Sequence, residues 1–144
     1  QKFNIFSNFK VRIDHQPMLR SKRVEKELAN WRVHPPAGLK LLSGDISKWS
    51  VQMIGAEGTI YAGEIYELEI KFPSKYPLEA PDVVFKQPSP EMRHIYSNGH
   101  ICLSILYDEW SPALTVEKLC LSIQSMLSSV SEKERPPGDL EYSE

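Results

Sequence analysis

From Tyr66 to Phe72 the chain switches between apolar and charged at every step. Tyr66, Leu68, Ile70 and Phe72 alternate with Glu67, Glu69 and Lys71. A period of two puts one set on each side of an extended backbone. One face must be covered and the other wet, which is the signature of a half-buried antiparallel strand. The strand reading runs from Glu64 to Phe72. A second run, Lys48 to Ile54, alternates in the same way, with Trp49, Val51 and Met53 on one face. Gly55-Ala56-Glu57-Gly58 supplies a turn between them. Two further short strands fit on either side, Leu39 to Ser43 and Asp82 to Phe85. Such a sheet needs a cover, and two segments of helical period can provide it.

Leu19 to Val33 carries Val24, Leu28 and Trp31 at i, i+4 and i+7, one apolar stripe. Lys22, Arg23 and Lys26 lie off that stripe, and His34-Pro35-Pro36 stops the helix. Thr115 to Val130 has Val116, Leu119, Cys120, Ile123, Leu127 and Val130 on its buried face. Thr115 fits the N-cap, and Glu117 suits the first turn of the helix dipole. Leu121 and Ser125 sit one turn apart on a different face. The order of helix, meander, long loop and helix predicts an α+β domain of 144 residues, with the first helix packed on the sheet. Residues 1–17 read as a flexible lead-in, 18–131 as the core and 132–144 as a mobile tail.

The stretch from Lys86 to Pro112 has no clear period, yet it holds Ile95, Ile101, Leu103, Ile105, Leu106 and Trp110. A long irregular segment with that many apolar anchors is expected to be an ordered functional loop. Cys102 lies within it. A thiol on an irregular, anchored segment can meet a large partner and act as a nucleophile. The competing reading is a small core residue, because free cysteine is often buried.

Composition narrows the partners. A net charge of −2 offers no basic footprint for nucleic acid or an anionic membrane. No run is long enough for a membrane span, and no leader pattern is visible. Two cysteines, Cys102 and Cys120, do not suggest a disulfide framework, so reduced thiols in the cytoplasm or nucleus are expected. His94, His100 and Cys102 lack a second ligand cluster, so no metal is expected.

Several motifs together resemble the ubiquitin-conjugating enzymes over about Leu19 to Val130. These are the helix ending in a Pro-Pro pair, Trp49, Phe72-Pro73-Ser74-Lys75-Tyr76-Pro77 before Ala80-Pro81, Ser97-Asn98-Gly99-His100-Ile101-Cys102-Leu103, and Trp110-Ser111-Pro112-Ala113-Leu114. Tyr96 through Leu106 is most similar to the W-type class, which modifies protein N-terminal α-amino groups. The resemblance implies the ubiquitin-conjugating fold, with a four-stranded meander and a shortened C-terminus.

It also implies that Cys102 accepts ubiquitin as a thioester from an activating enzyme and passes it to substrate, with RING-type or U-box ligases as partners. No cofactor is implied here, since ATP is used by the upstream enzyme. Lys22, Arg23, Lys26, Leu78, Ser111, Pro112 and Ala113 map to the ligase-facing surface. Without the resemblance the three cations read as a solvated helix face. Leu121 and Ser125 map to the face that holds the donor ubiquitin.

Two departures from the family pattern bear on the acceptor. Most members carry His-Pro-Asn before the cysteine, whereas here the tripeptide is Met92-Arg93-His94. His94 can donate to a developing oxyanion or merely brace the loop. His100 shares the face of Cys102 if the segment is extended, so it either tunes the thiol or lines the groove. Lysine-directed members also carry an acid two residues after the cysteine, where this chain has Ser104. Such an acid assists a lysine more than an α-amine. Near pH ~7.4 the ordinary acidities of the two groups leave about a quarter of α-amines neutral but about a thousandth of lysines, a difference of roughly 3.5 kcal/mol.

The expected substrates are therefore proteins with accessible N-termini. The alternatives are a non-catalytic ubiquitin-binding adaptor of the same fold, a conjugating enzyme for another ubiquitin-like protein, and a cysteine hydrolase using Cys102 with His94 or His100.

Overall fold

A computed structural model describes residues 3–143, with side chains from Met18 onward. Four strands run β1 Leu39–Gly44, β2 Lys48–Ile54, β3 Ile65–Lys71 and β4 Asp82–Phe85. They form one antiparallel sheet in the order β1-β2-β3-β4. The alternating residues explain the register. Trp49 faces Ile70, Val51 faces Leu68 and Met53 faces Tyr66 across β2 and β3, so the apolar sets of both strands share a face. Trp49, Val51, Leu68 and Ile70 are wholly buried. Glu67 and Glu69 on the other face bind lysines, Lys86 and Lys48.

Helix α1 spans Phe3–Val33. Its start corrects the expected boundary at Leu19. Pro17 lacks an amide donor and reads as a break, but the helical backbone passes through it. The predicted lead-in is therefore helical from Phe3, while Gln1 and Lys2 lie outside the described residues. The C-terminal stop is as expected, with the His34 amide donating to the Asn30 carbonyl just before Pro35-Pro36.

Val24 and Trp31 are buried and Leu28 half-buried. Trp31 meets Trp49 edge-on with ring centroids 6.0 Å apart, which seats α1 on the sheet. Helix α2, Val116–Ser128, starts at its predicted cap, where the Thr115 hydroxyl accepts from the Lys118 amide at 3.2 Å. Its buried face is Val116, Leu119, Cys120, Ile123 and Leu127.

One polar residue sits inside this apolar contact. Glu27 is 7% exposed. Its carboxylate accepts from the Tyr76 hydroxyl, the Arg23 guanidinium at 3.1 Å and the Val116 amide at 2.7 Å. The last bond satisfies an otherwise orphan donor at the start of α2, where the helix dipole also favours negative charge. Burial, then the hydrogen bond to Glu27, raises the Tyr76 pKa.

The chain from Ser131, expected to be mobile, instead runs back over the long loop and ends in a short helix, α3, Asp139–Ser143. Its contacts are long-range side-chain bonds, described below, which no period in the sequence signals.

Candidate functional site

The segment between β4 and α2 holds Cys102. Isolated bridges pair Val84 with His100, Met92 with Ile95, and Ile95 with Ile101. These make the segment a narrow, irregular hairpin docked on β4. Its turn depends on Gly99 at φ +92°, where a Cβ would lie 2.0 Å from the Phe85 carbonyl oxygen. Only glycine allows that approach. The Phe85 amide donates to the Gly99 carbonyl at 2.9 Å, locking the turn to the sheet.

Met92, Ile95 and Ile101 are buried, and Leu103, Ile105 and Trp110 pack against the same core. The loop is thus ordered through its apolar anchors, as the sequence suggests. Trp110 Nε1 donates to the Pro77 carbonyl at 2.9 Å, and the Tyr107 hydroxyl donates to the Ile101 carbonyl at 3.0 Å.

Cys102 is an exposed free thiol, which excludes the core-filling reading for it. Its amide donates to the His94 carbonyl at 2.8 Å. Buried Ile101 and half-buried Leu103 flank it on the inner side. Cys120, by contrast, is fully buried, and burial pushes its thiol up to about 12.

The His94 main chain braces the loop, through its carbonyl and through an amide that approaches Met92 Sδ at 3.0 Å. Its exposed ring makes no hydrogen bond among the described residues, so bracing is the work of the backbone and the imidazole is left available. His100 has a partner of its own. It shares the outward face with Cys102, but its Nδ1 pairs with the Tyr142 hydroxyl at 3.0 Å rather than with the thiol.

The returning tail holds this loop. Arg135 Nη1 donates to the Pro90 carbonyl at 2.7 Å and the Ile95 carbonyl at 3.1 Å, and its Nη2 donates to the Ser89 carbonyl at 3.2 Å. Asp139 accepts from the Ser97 amide at 2.7 Å, a bond that holds its carboxyl below the usual carboxylate range. The Tyr142 ring stacks on Tyr96 at a centroid distance of 3.9 Å. The basic and acidic character of 131–144 gave the only sequence hint, and it pointed to a solvated tail.

The ligase-mapped residues come together in part. Arg23 donates to the Pro112 and Leu114 carbonyls at 2.7 and 2.8 Å. This joins α1 to the Ser111-Pro112-Ala113 turn, while the Trp110–Pro77 bond draws in the loop that carries exposed Leu78. Arg23 is thus a structural tie rather than an open cation. Lys22 and Lys26 are exposed. Leu121 and Ser125 border an open groove of about 530 Å³, with Ala37, Gly38 and Ile54 on its other wall.

Sequence reasoning missed Glu109. The Ser104 hydroxyl donates to its carboxylate at 2.7 Å, and the Glu109 amide donates to the Ser104 carbonyl at 3.1 Å. An acid therefore reaches the position where the sequence carries only serine. The fold back is made by the 3-10 turn Ser104–Leu106, and an unpatterned polar run such as Tyr107-Asp108-Glu109 gives no sign of it.

The chain is similar to known proteins in sequence and in fold. The family model described as ubiquitin-conjugating enzyme matches residues 23–140. A Dictyostelium discoideum protein named probable ubiquitin-conjugating enzyme E2 W is 53% identical over 123 residues, covering 85% of this chain and 83% of that protein. Ubiquitin-conjugating enzyme 15 of Arabidopsis thaliana is 52% identical over 121 residues, covering 83% of this chain and 75% of that protein. The crystal structure of the ubiquitin conjugating enzyme UbcA1 from Agrocybe aegerita superimposes with a TM-score of 0.83 at 40% identity. It covers 85% of this chain and 92% of that one.

Proposed function

Because this chain belongs to the ubiquitin-conjugating enzyme family, we propose that Cys102 is its ubiquitin carrier and that protein N-terminal α-amines are its acceptors. The observation that carries the reading is the exposed Cys102 thiol on a segment pinned from both sides, by Ile101 and Leu103 inward and by the His94 carbonyl along the backbone. The thiolate attacks the thioester carbonyl of ubiquitin on the activating enzyme and takes over the acyl group. An amine then attacks the new thioester, and Cys102 leaves as thiolate. Each step passes through a tetrahedral oxyanion that needs a donor.

His94 supports a donor role, since its imidazole is exposed and uncommitted within the described residues. The relatives named as W-type favour the α-amine. Such an amine is neutral often enough near pH ~7.4 to attack without strong base assistance, unlike lysine. Lys22, Lys26, Leu78 and Ser111 to Ala113 offer a ligase a cationic and apolar patch. Leu121 and Ser125 offer donor ubiquitin an exposed helix face beside a groove.

The test is charging followed by discharge. With ATP, activating enzyme and ubiquitin, the protein forms a reductant-sensitive adduct that Cys102→Ala abolishes. The charged protein then discharges onto a peptide whose only amine is the α-amine, faster than onto free lysine. Absence of the adduct would favour a non-catalytic adaptor. Discharge onto lysine but not onto the peptide would overturn the acceptor assignment.

A further inference from the structure

Leu103 is extended, with φ −143° and ψ 120°. An extended residue sends the side chains on either side of it to the same face. The burial agrees: Cys102 is exposed, Leu103 packs inward, and Ser104 is exposed. The Ser104 hydroxyl therefore lies on the thiol's side of the chain, and it holds the Glu109 carboxylate at 2.7 Å through Oε2. The Glu109 amide returns to the Ser104 carbonyl at 3.1 Å, so both ends of the residue are fixed. Glu109 is exposed, and no cation among the described residues pairs with it. Asp108 next to it is also exposed, but it lacks any bond tying it to the thiol's face.

We infer that the Glu109 carboxylate receives the protonated acceptor amine beside the Cys102 thioester, with Ser104 as the residue that positions it. An acceptor arrives mostly as an ammonium at neutral pH, an α-amine in the larger part and a lysine almost wholly. It must give one proton to solvent before its nitrogen can attack. The C–N bond then forms at the thioester carbonyl, the C–S bond breaks, Cys102 departs as thiolate, and the nitrogen sheds a second proton to water. Thioester plus ammonium thus becomes amide, thiolate and two protons. Glu109 gathers the ammonium before the first proton is lost. It also offsets the positive nitrogen of the tetrahedral adduct until the second proton leaves.

The inference rests on Cys102 as carrier and is independent of which amine class is preferred. It is tested by single-turnover discharge of preloaded protein onto an α-amine peptide, onto lysine, and onto hydroxylamine, an uncharged nucleophile at neutral pH. For Glu109→Gln, the acceptor concentration giving half the maximal rate rises about fivefold for both amines at low salt, the scale of one solvent-exposed charge contact. High salt narrows the gap. Hydroxylamine discharge is unmoved, and Ser104→Ala shifts the amines in the same direction by less.

Equal acceptor dependence for wild type and Glu109→Gln at low salt overturns the inference. So does an equal loss for hydroxylamine, which would mark a structural role. A wild-type protein that never forms the thioester fails at the earlier step and removes both readings.

Discussion

The sheet with its two long helices and the loop that carries Cys102 are both well ordered, but by different means. In the first, backbone groups pair with each other in ladders, and apolar side chains repeat at periods of two or near four. Trp49, Val51, Leu68 and Ile70 need only those rules to find one another. In the second, only three isolated bridges and one short 3-10 turn are regular. The loop is held by single anchors such as Gly99 on Phe85 and Trp110 on Pro77, and by a tail that comes back from the far end of the chain. The difference teaches where function can be lodged. A ladder commits its amides and both faces, whereas an anchored loop leaves outward groups free of packing duty.

The sharpest break in this comparison comes from the framework. Trp49→Ala removes the fully buried ring that meets Trp31 and Phe72 edge-on, and is expected to cost about 3–5 kcal/mol of stability. Denaturant unfolding should show it, with loop and sheet lost together.

A smaller effect confined to the loop is expected from Arg135→Ala. It strips donors from the Ser89, Pro90 and Ile95 carbonyls, worth about 2 kcal/mol for a charge-assisted set. Hydrogen exchange should quicken at the Cys102 and Tyr96 amides, whose acceptors lie in this loop, and stay slow in β2 and β3. Equal quickening in the sheet would show that the two regions open as one unit.

The smallest effect is a pH dependence at Asp139. Its folded pKa is lowered, first by the Ser97 amide. The bond therefore contributes fully above the ordinary carboxylate pKa and is lost as pH falls through the lower folded value. The Ser97 amide resonance should move below about pH 4, and Asp139→Asn should flatten that titration.

What could be read from the sequence follows the same division. The strands from Lys48 to Ile54 and Asp82 to Phe85 and the Thr115 cap match the structure, because each is local and periodic. The loop was legible as ordered, from its apolar anchors, and Cys102 as its centre. The tail's docking was not legible. Arg135 meets partners 40 to 46 residues away through hydrogen bonds of its guanidinium, and hydropathy carries no record of such pairs. Glu27 was hidden for a related reason. A carboxylate beside an apolar stripe reads as solvated until the Val116 amide and Tyr76 hydroxyl are seen to converge on it. Glu109 needed the turn at Ser104, and Arg23 seemed a free cation until its two carbonyl partners were in place.

The contrast between the two cysteines also has a practical side. Cys102 is open to solvent, whereas the fully buried Cys120 thiol is pushed up to about 12, so an alkylating reagent at neutral pH should find one thiol per folded chain. The second becomes available only when α2 leaves the sheet. Label stoichiometry measured by intact mass thus becomes a gauge carried by the protein itself: one adduct counts folded chains with a free thiol, none counts chains whose Cys102 is already acylated, and two counts chains that have unfolded.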